Sequence, residues 1–241
     1  MKKQQPQAAT TPASLLVIGA HAGDAEISAG AIILKHTRAG ARAAIAHLTL
    51  GEKGHPTLSP ARYARQKKAE ARKAAKALGA EVFFFPWKDG ELPVSEQAKF
   101  AICDLIREVK PDLLITHWQG SFHKDHINTY HNVVDAHFYA AVKGFERELP
   151  AHGARGPYFV ENWEDPFDFQ PEIFVNTTDL LEAWEAAVCE YELFRGGVSK
   201  FPYVEYYRAL ARVRGAVVGV THATALAIPP LGRRRRTEYL P

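Results

Sequence analysis

Short apolar runs alternate with segments of helical period along the chain, and nothing else in the sequence restricts the fold as much. Residues 14–20, 41–49, 81–86 and 112–116 are strand-sized apolar runs. Between the first two, residues 25–38 carry Ile27, Ala31 and Leu34 on one side. Residues 95–110 space Ala98, Ala101, Ile102, Leu105, Ile106 and Val109 at the 3.6-residue period of an amphipathic helix. Ser59-Pro60 supplies an N-cap and a proline at the first helical position, opening an Ala- and Lys/Arg-rich helix that stops at Leu78-Gly79. Strand, helix, strand, helix in regular order predicts right-handed βαβ crossovers and a parallel sheet covered by helices. The expected class is α/β, a Rossmann-like three-layer fold with a mostly parallel central sheet.

The pattern loosens beyond Lys143, where Gly144, Pro150, Gly153, Gly156 and Pro157 mark a loop. Residues 158–161 and 172–175 read as shorter strands, 179–194 as a helix with Leu180, Leu181, Trp184, Ala187, Val188 and Tyr191 on one face, and 199–214 as a last helix. No internal repeat or linker divides the chain, so one domain is expected over 14–228. It is framed by a disordered segment over 1–13 and a flexible basic tail over 229–241 that contains Arg233 to Arg236.

A chain of 241 residues with 46% hydrophobic content can bury a sizeable core. Its apolar stretches fall short of the roughly 20 residues that span a bilayer, so no membrane segment is expected. Met1-Lys2-Lys3 has the charge of a signal-peptide start, but residues 4–13 are polar and contain proline where an apolar stretch should follow. Cys103 and Cys189 are far apart in the sequence, which argues against a disulfide framework and for a cytoplasmic protein. The net charge of +3 comes largely from Lys67-Lys68, Arg72-Lys73 and the arginine tail. Solvated surface explains these charges better than nucleic-acid binding, because no aromatic stacking platform accompanies the tail.

Two polar clusters, His21-Ala22-Gly23-Asp24 and His123-Lys124-Asp125-His126, each follow an apolar run. They fall at the carboxyl ends of the expected first and fourth strands, which is where open α/β sheets bind ligands. A catalytic zinc takes three protein ligands and keeps a fourth position for water. His21 and Asp24 lie on one tight strand-to-helix turn, and His126 supplies the third ligand if the first and fourth strands are neighbours. Zinc, or another divalent transition metal, is the expected cofactor. A dinucleotide binder would place the glycines of G-x-G-x-x-G where this turn carries His and Asp. His117 is expected to be a hydrogen-bonded wall residue, and Trp87, Trp118 and Trp163 to anchor loops, with Trp118 also close to the second cluster.

These residues also carry a family resemblance. From Ile18 to Gly30, Ile-Gly-Ala-His-Ala-Gly-Asp-Ala-Glu-Ile-Ser-Ala-Gly resembles the AHPDDxE signature of the PIG-L/LmbE-like zinc deacetylases, and His123-Lys124-Asp125-His126 resembles their HPDH motif. Residues 48–54 are similar to the family's T-x-G-E-x-G loop and 67–79 to its R-x-x-E helix ending in Leu-Gly. Lys110-Pro111-Asp112 is similar to the approach to strand four, and Glu161-Asn162-Trp163-Glu164-Asp165 to a segment of some members. The resemblance runs from Leu15 to about Leu226 and implies removal of an acetyl group from an N-acetylglucosamine conjugate. Carried over, zinc is held by His21, Asp24 and His126, and possible homo-oligomers are implied. His123 would stabilise an oxyanion or shuttle a proton, and Asp125 would orient it as a charged imidazole. Zinc lowers the pKa of its water toward roughly 7 and polarises the amide carbonyl.

Gly23 stands where the signature has the aspartate that serves as general base, a role worth about 10²–10⁴ in rate. His123, Glu26, Glu52 and Glu164 are candidate substitutes. The signature's proline is Ala22, the helix arginine is Lys67, and the usual Tyr-Ala-Glu-x-Phe segment reads His222-Ala223-Thr224-Ala225-Leu226. Substrate contacts are expected from Glu52, Lys67, Trp118 and His222. Two readings follow. One is a zinc-dependent hydrolase acting on a small N-acylated sugar or related amide. The other, motivated by Gly23, is a catalytically impaired member that binds a metal or small ligand as a regulatory module.

Overall fold

The computed structural model describes residues 12–229. Apart from Pro12, Ala13 and Pro229, the segments expected to be disordered at 1–13 and flexible at 229–241 lie outside the described residues. The strands are β1 (Leu15–Gly19), β2 (Ala43–His47), β3 (Glu81–Phe84), β4 (Leu113–His117), β5 (Arg155–Val160), β6 (Ile173–Asn176) and β7 (Ala223–Ala227). The helices are α1 (Asp24–Arg38), α2 (Pro60–Leu78), α3 (Glu96–Val109), α4 (Lys124–Ala141), α5 (Leu181–Val188) and α6 (Tyr203–Val217).

One sheet holds these strands in the order β3-β2-β1-β4-β5-β7-β6. From β3 through β5 the pairing is parallel, and β7 runs antiparallel to both β5 and β6. Side chains of β1 alternate between the two faces. Leu15 and Val17 join the core formed with α1, α2 and α5, whereas Leu16 and Ile18 join the core formed with α3 and α4. Both faces are therefore dry, which is why these strands read as continuous apolar runs. The mostly parallel three-layer architecture expected from the sequence is present.

Three departures have physical causes. The helix expected over 179–194 is a short 3-10 turn, Thr178–Leu180, followed by α5, and the chain leaves the helix after Val188. That exit lets Tyr191 donate its hydroxyl to Glu26 Oε1 at 2.7 Å and brings the Phe194 ring against Gly23. α4 breaks the apolar period because Asp125, His126, Thr129 and Asn132 occupy its buried face. β7, a run of Ala, Thr and Leu, carries no strand signal of its own and forms by pairing with β5 and β6. Among the described residues, no helix is long and apolar enough to cross a membrane.

Arg107 secures the second face. Its buried guanidinium donates to Ala140 O (3.2 Å), Tyr139 O (2.9 Å), Val142 O (3.1 Å) and Leu149 O (3.0 Å). Two of these carbonyls, Tyr139 and Ala140, belong to the last turn of α4, where backbone acceptors lack intrahelical partners. Arg107→Ala is expected to destabilise the fold by about 3 kcal/mol, since it empties the space of a large buried side chain and removes the donors that tie α4 to the loop after it. Chemical denaturation should show a lower midpoint at an unchanged slope.

Candidate metal centre and its pocket

β1 ends at Gly19, and the chain reaches α1 within four residues. The turn is closed by its own polar groups. His21 N donates to Asp24 Oδ2 at 2.7 Å, and Asp24 N donates to His21 O at 3.1 Å. Gly23 sits at φ +113°, a conformation that L side chains rarely adopt. The loop after β2 straps this turn from below, with Thr49 N and Oγ1 both donating to Ala20 O, at 2.8 and 3.0 Å.

The second cluster arrives from the neighbouring strand. Ile18 pairs with Thr116, so His117 at the end of β4 lies beside Ala20. Ala20 N donates to His117 Nε2 at 3.0 Å, which leaves the ring proton on Nδ1 for Asp165 Oδ2, 2.9 Å away. The expectation of a hydrogen-bonded wall residue fits His117. Its buried partner Asp165 also faces His126 Nδ1, through Oδ1 at 2.7 Å. With Nδ1 donating to that carboxylate, His126 presents the lone pair of Nε2 to the pocket, the arrangement common to histidine metal ligands.

His21 Nδ1, Asp24 Oδ2 and His126 Nε2 form a triangle with sides of 3.1, 3.3 and 3.3 Å. Tetrahedral bonds of about 2.0–2.1 Å would require ligand atoms roughly 3.3–3.4 Å apart, so the donor set fits a zinc-sized ion. Three lone pairs aimed at one point repel unless a cation joins them. In the bare protein protons play that part: burial opposes it, but Asp24 raises His21 well above the usual imidazole range and pushes His126 up to about 9. Burial would raise Asp24 itself, yet the facing imidazoles hold it well below the ordinary carboxylate range.

The triangle lies beside a cavity of about 290 Å³ whose lining includes His21, Asp24, Lys67, His123, Trp163 and Glu164. Lys67 is buried there, with Nζ donating to Ala22 O and lying 4.9 Å from the centre of the Tyr191 ring; burial lowers its pKa. His123 caps α4, its Nδ1 accepting from Asp125 N at 3.2 Å. The Asp125 carboxylate does not hold His123 as expected. Its Oδ2 accepts from Gly90 N at 2.6 Å and lies 3.4 Å from His21 Nε2, so it braces the first cluster. Burial and the imidazoles of His21 and His126 lower the pKa of His123, which favours a neutral ring over the charged one expected.

Other expected substrate contacts fall elsewhere. Trp118 is buried against Phe159 and Phe169, and its Nε1 donates to Phe167 O at 2.8 Å, so it anchors a loop and does not line the cavity. His222 leads into β7 with its backbone N on Thr178 Oγ1, away from the cavity lining. Glu52 supports the site indirectly, through Oε1 accepting from Asp89 N at 3.0 Å. Sequence reasoning missed Asp89, whose Oδ1 is 3.4 Å from His21 Nε2, although its position just beyond β3 obeys the same strand-end rule. Trp163 lines the cavity and stacks on Phe201 with centroids 4.3 Å apart, a contact no local pattern signals.

The profile of the PIG-L family, described as GlcNAc-PI de-N-acetylase, matches residues 16–137, a span that contains both polar clusters. The 4-oxalmesaconate hydratase of Pseudomonas putida is 26% identical over 227 residues, covering 89% of this chain and 86% of that protein. The 1D-myo-inositol 2-acetamido-2-deoxy-alpha-D-glucopyranoside deacetylase of Thermomonospora curvata is 28% identical over 178 residues, which span 61% of this chain and 58% of that relative. Among solved structures, the N,N'-diacetylchitobiose deacetylase of Pyrococcus horikoshii shares the fold, with a TM-score of 0.78 and 21% identity over 90% of this chain and 84% of that one.

Asp165→Asn should weaken zinc binding about 10- to 100-fold, read by competition with a chromophoric chelator, because it loosens the tautomer and aim of His126. Gly23→Ala should cost about 1–3 kcal/mol in a thermal or chemical melt. The positive φ strains any side chain, and a Cβ would meet Phe194 Cζ at 3.0 Å.

Proposed function

The chain belongs to the PIG-L family, and we propose that it is a metal-dependent hydrolase that directs water onto the carbonyl of a small N-acylated sugar or related amide. The observation that carries this reading is the triangle of His21 Nδ1, Asp24 Oδ2 and His126 Nε2 beside a cavity large enough for a small molecule. Those three residues would hold the ion, which when bound acidifies water and polarises a carbonyl.

The protein's own groups perform the remaining tasks. Asp165 and Asp125 keep the His126 and His21 rings turned toward the common point. His123, with Nδ1 engaged by the start of α4, carries its proton on Nε2 and offers it to an oxygen that gains negative charge. Lys67, with Nζ 3.6 Å from where a Cβ at position 23 would be, adds a second donor to the cavity. Trp163, Phe194 and Tyr203 give the cavity an apolar wall for the body of a substrate and help exclude water.

A second reading has a specific basis. A relative that matches 89% of this chain is a 4-oxalmesaconate hydratase, and Gly23 stands where the deacetylase signature has a carboxylate. Addition of water to a small unsaturated acid would use the same cavity and the same donor triangle.

The test is a pair of panels, N-acetylated sugars and amides followed by amine release, and unsaturated di- and tricarboxylic acids followed by loss of conjugated absorbance. Turnover on the first panel should vanish after chelation and return with zinc. Turnover confined to the second panel would establish the hydratase reading. Silence on both at saturating zinc would replace catalysis with a metal- or ligand-binding role.

A further inference from the structure

We infer that Glu164 is the catalytic base of this site, taking over the work of the carboxylate that Gly23 lacks. The inference rests on the hydrolytic reading above and adds to it the residue that removes the proton. The usual place for that group is closed. At position 23 the backbone has φ +113°, and the Phe194 ring stands 3.0 Å from where a Cβ would be.

Each of the other nearby carboxylates has at least one oxygen in the donor triangle or held by a hydrogen bond, although Glu26 Oε2, Glu52 Oε2 and Asp125 Oδ1 are buried without a hydrogen-bond partner. Asp24 belongs to the donor triangle. Asp165 faces His117 and His126 with its two oxygens. Asp125 accepts from Gly90 N, and Asp89 accepts from Lys53 N at 2.9 Å while its other oxygen faces His21. Glu26 is enclosed with Tyr191 and His47, and Glu52 is held by Asp89 N. Glu164 differs from all of these. It lines the cavity, and its side chain has no hydrogen-bond or ion-pair partner among the described residues except His126 Nε2, 3.3 Å from Oε2.

The backbone of Glu164, unlike its carboxylate, is fixed. Its N donates to Asn162 Oδ1 at 3.0 Å, and its O accepts from Ser121 Oγ at 2.8 Å and Phe122 N at 3.1 Å. These bonds tie the loop after β5 to the segment that leads into α4, so the carboxylate is aimed from a rigid support at one corner of the donor triangle.

The step balances without an added reactant. Water oxygen bonds to the carbonyl carbon as one of its protons passes to the Glu164 carboxylate. The carbon–nitrogen bond then breaks while that proton goes to the departing nitrogen, leaving an amine and a carboxylic acid that ionises to solvent.

Glu164→Gln keeps size and removes the base. Zinc affinity of this variant should stay within threefold of the parent, while kcat on the amide-panel substrate falls by about 10²–10⁴ with KM little changed. A crystal structure of the zinc-loaded parent should show an ordered water within hydrogen-bond reach of both Glu164 and the ion. A tenfold or greater loss of zinc affinity would make Glu164 a ligand and overturn the inference, as would a kcat within threefold of the parent. If the parent turns over nothing on the amide panel, the hydrolytic reading fails separately. The zinc-loaded structure still decides the geometry, since a water held by a different carboxylate, or by none, refutes the role of Glu164. Should the glutamine variant fold poorly, Glu164→Asp, which shortens the reach by one methylene, should give the same retained zinc affinity and reduced kcat.

Discussion

Parallel pairing of β1 with β4 is the constraint on which the rest of this site depends. The register places Ile18 beside Thr116, so the two strands end together, and the turns that follow them open into one crevice. Helices leave β1 and β4 toward opposite faces of the sheet, α1 into one core and α4 into the other. The chain order reverses here, and such a switch point is where an open sheet leaves room for a ligand. A slip of one residue in this pairing would turn His117 away from Ala20 and separate His126 from the His21 turn.

The buried charge that results is tolerable only because it is networked. Asp165 is shared by two imidazoles, Asp24 faces three, and Asp125 accepts a backbone N–H while bracing His21. An isolated carboxylate at this depth would lie far above its ordinary pKa. Here the partners reverse that tendency for Asp24 and Asp165. Glu164, with one neighbour, keeps the upward shift that burial imposes. Neighbouring carboxylates thus acquire opposite character from their surroundings alone.

Gly23 shows how a single position reshapes the pocket. Without a side chain there, the backbone takes a glycine conformation, and the segment after α5 occupies the space. Phe194 packs over the turn, Tyr191 reaches the buried Glu26, and Lys67 lies between them with its ammonium on Ala22 O. The wall of the cavity is therefore built by the stretch that leaves the helix early. The early exit and the absent carboxylate belong to one packing solution.

Much was legible in the sequence because it depends on local periodicity and on short motifs. Apolar runs two-sided in burial announce parallel strands and a 3.6-residue spacing announces α3, whereas Ser59, expected as the N-cap of α2, stands at that position without a side-chain capping hydrogen bond. That His21, Asp24 and His126 meet could be anticipated, since their motifs stand at the ends of two strands expected to be neighbours. Contacts between distant segments were hidden. Asp165 on two histidines, Trp163 stacked on Phe201, and Asp125 turned to His21 each join residues whose meeting depends on loop paths. So does the withdrawal of Trp118 and His222 from the cavity. Periodicity reports which face of an element is dry, whereas the aim of a polar side chain is settled by whichever partner the completed fold brings within hydrogen-bond reach.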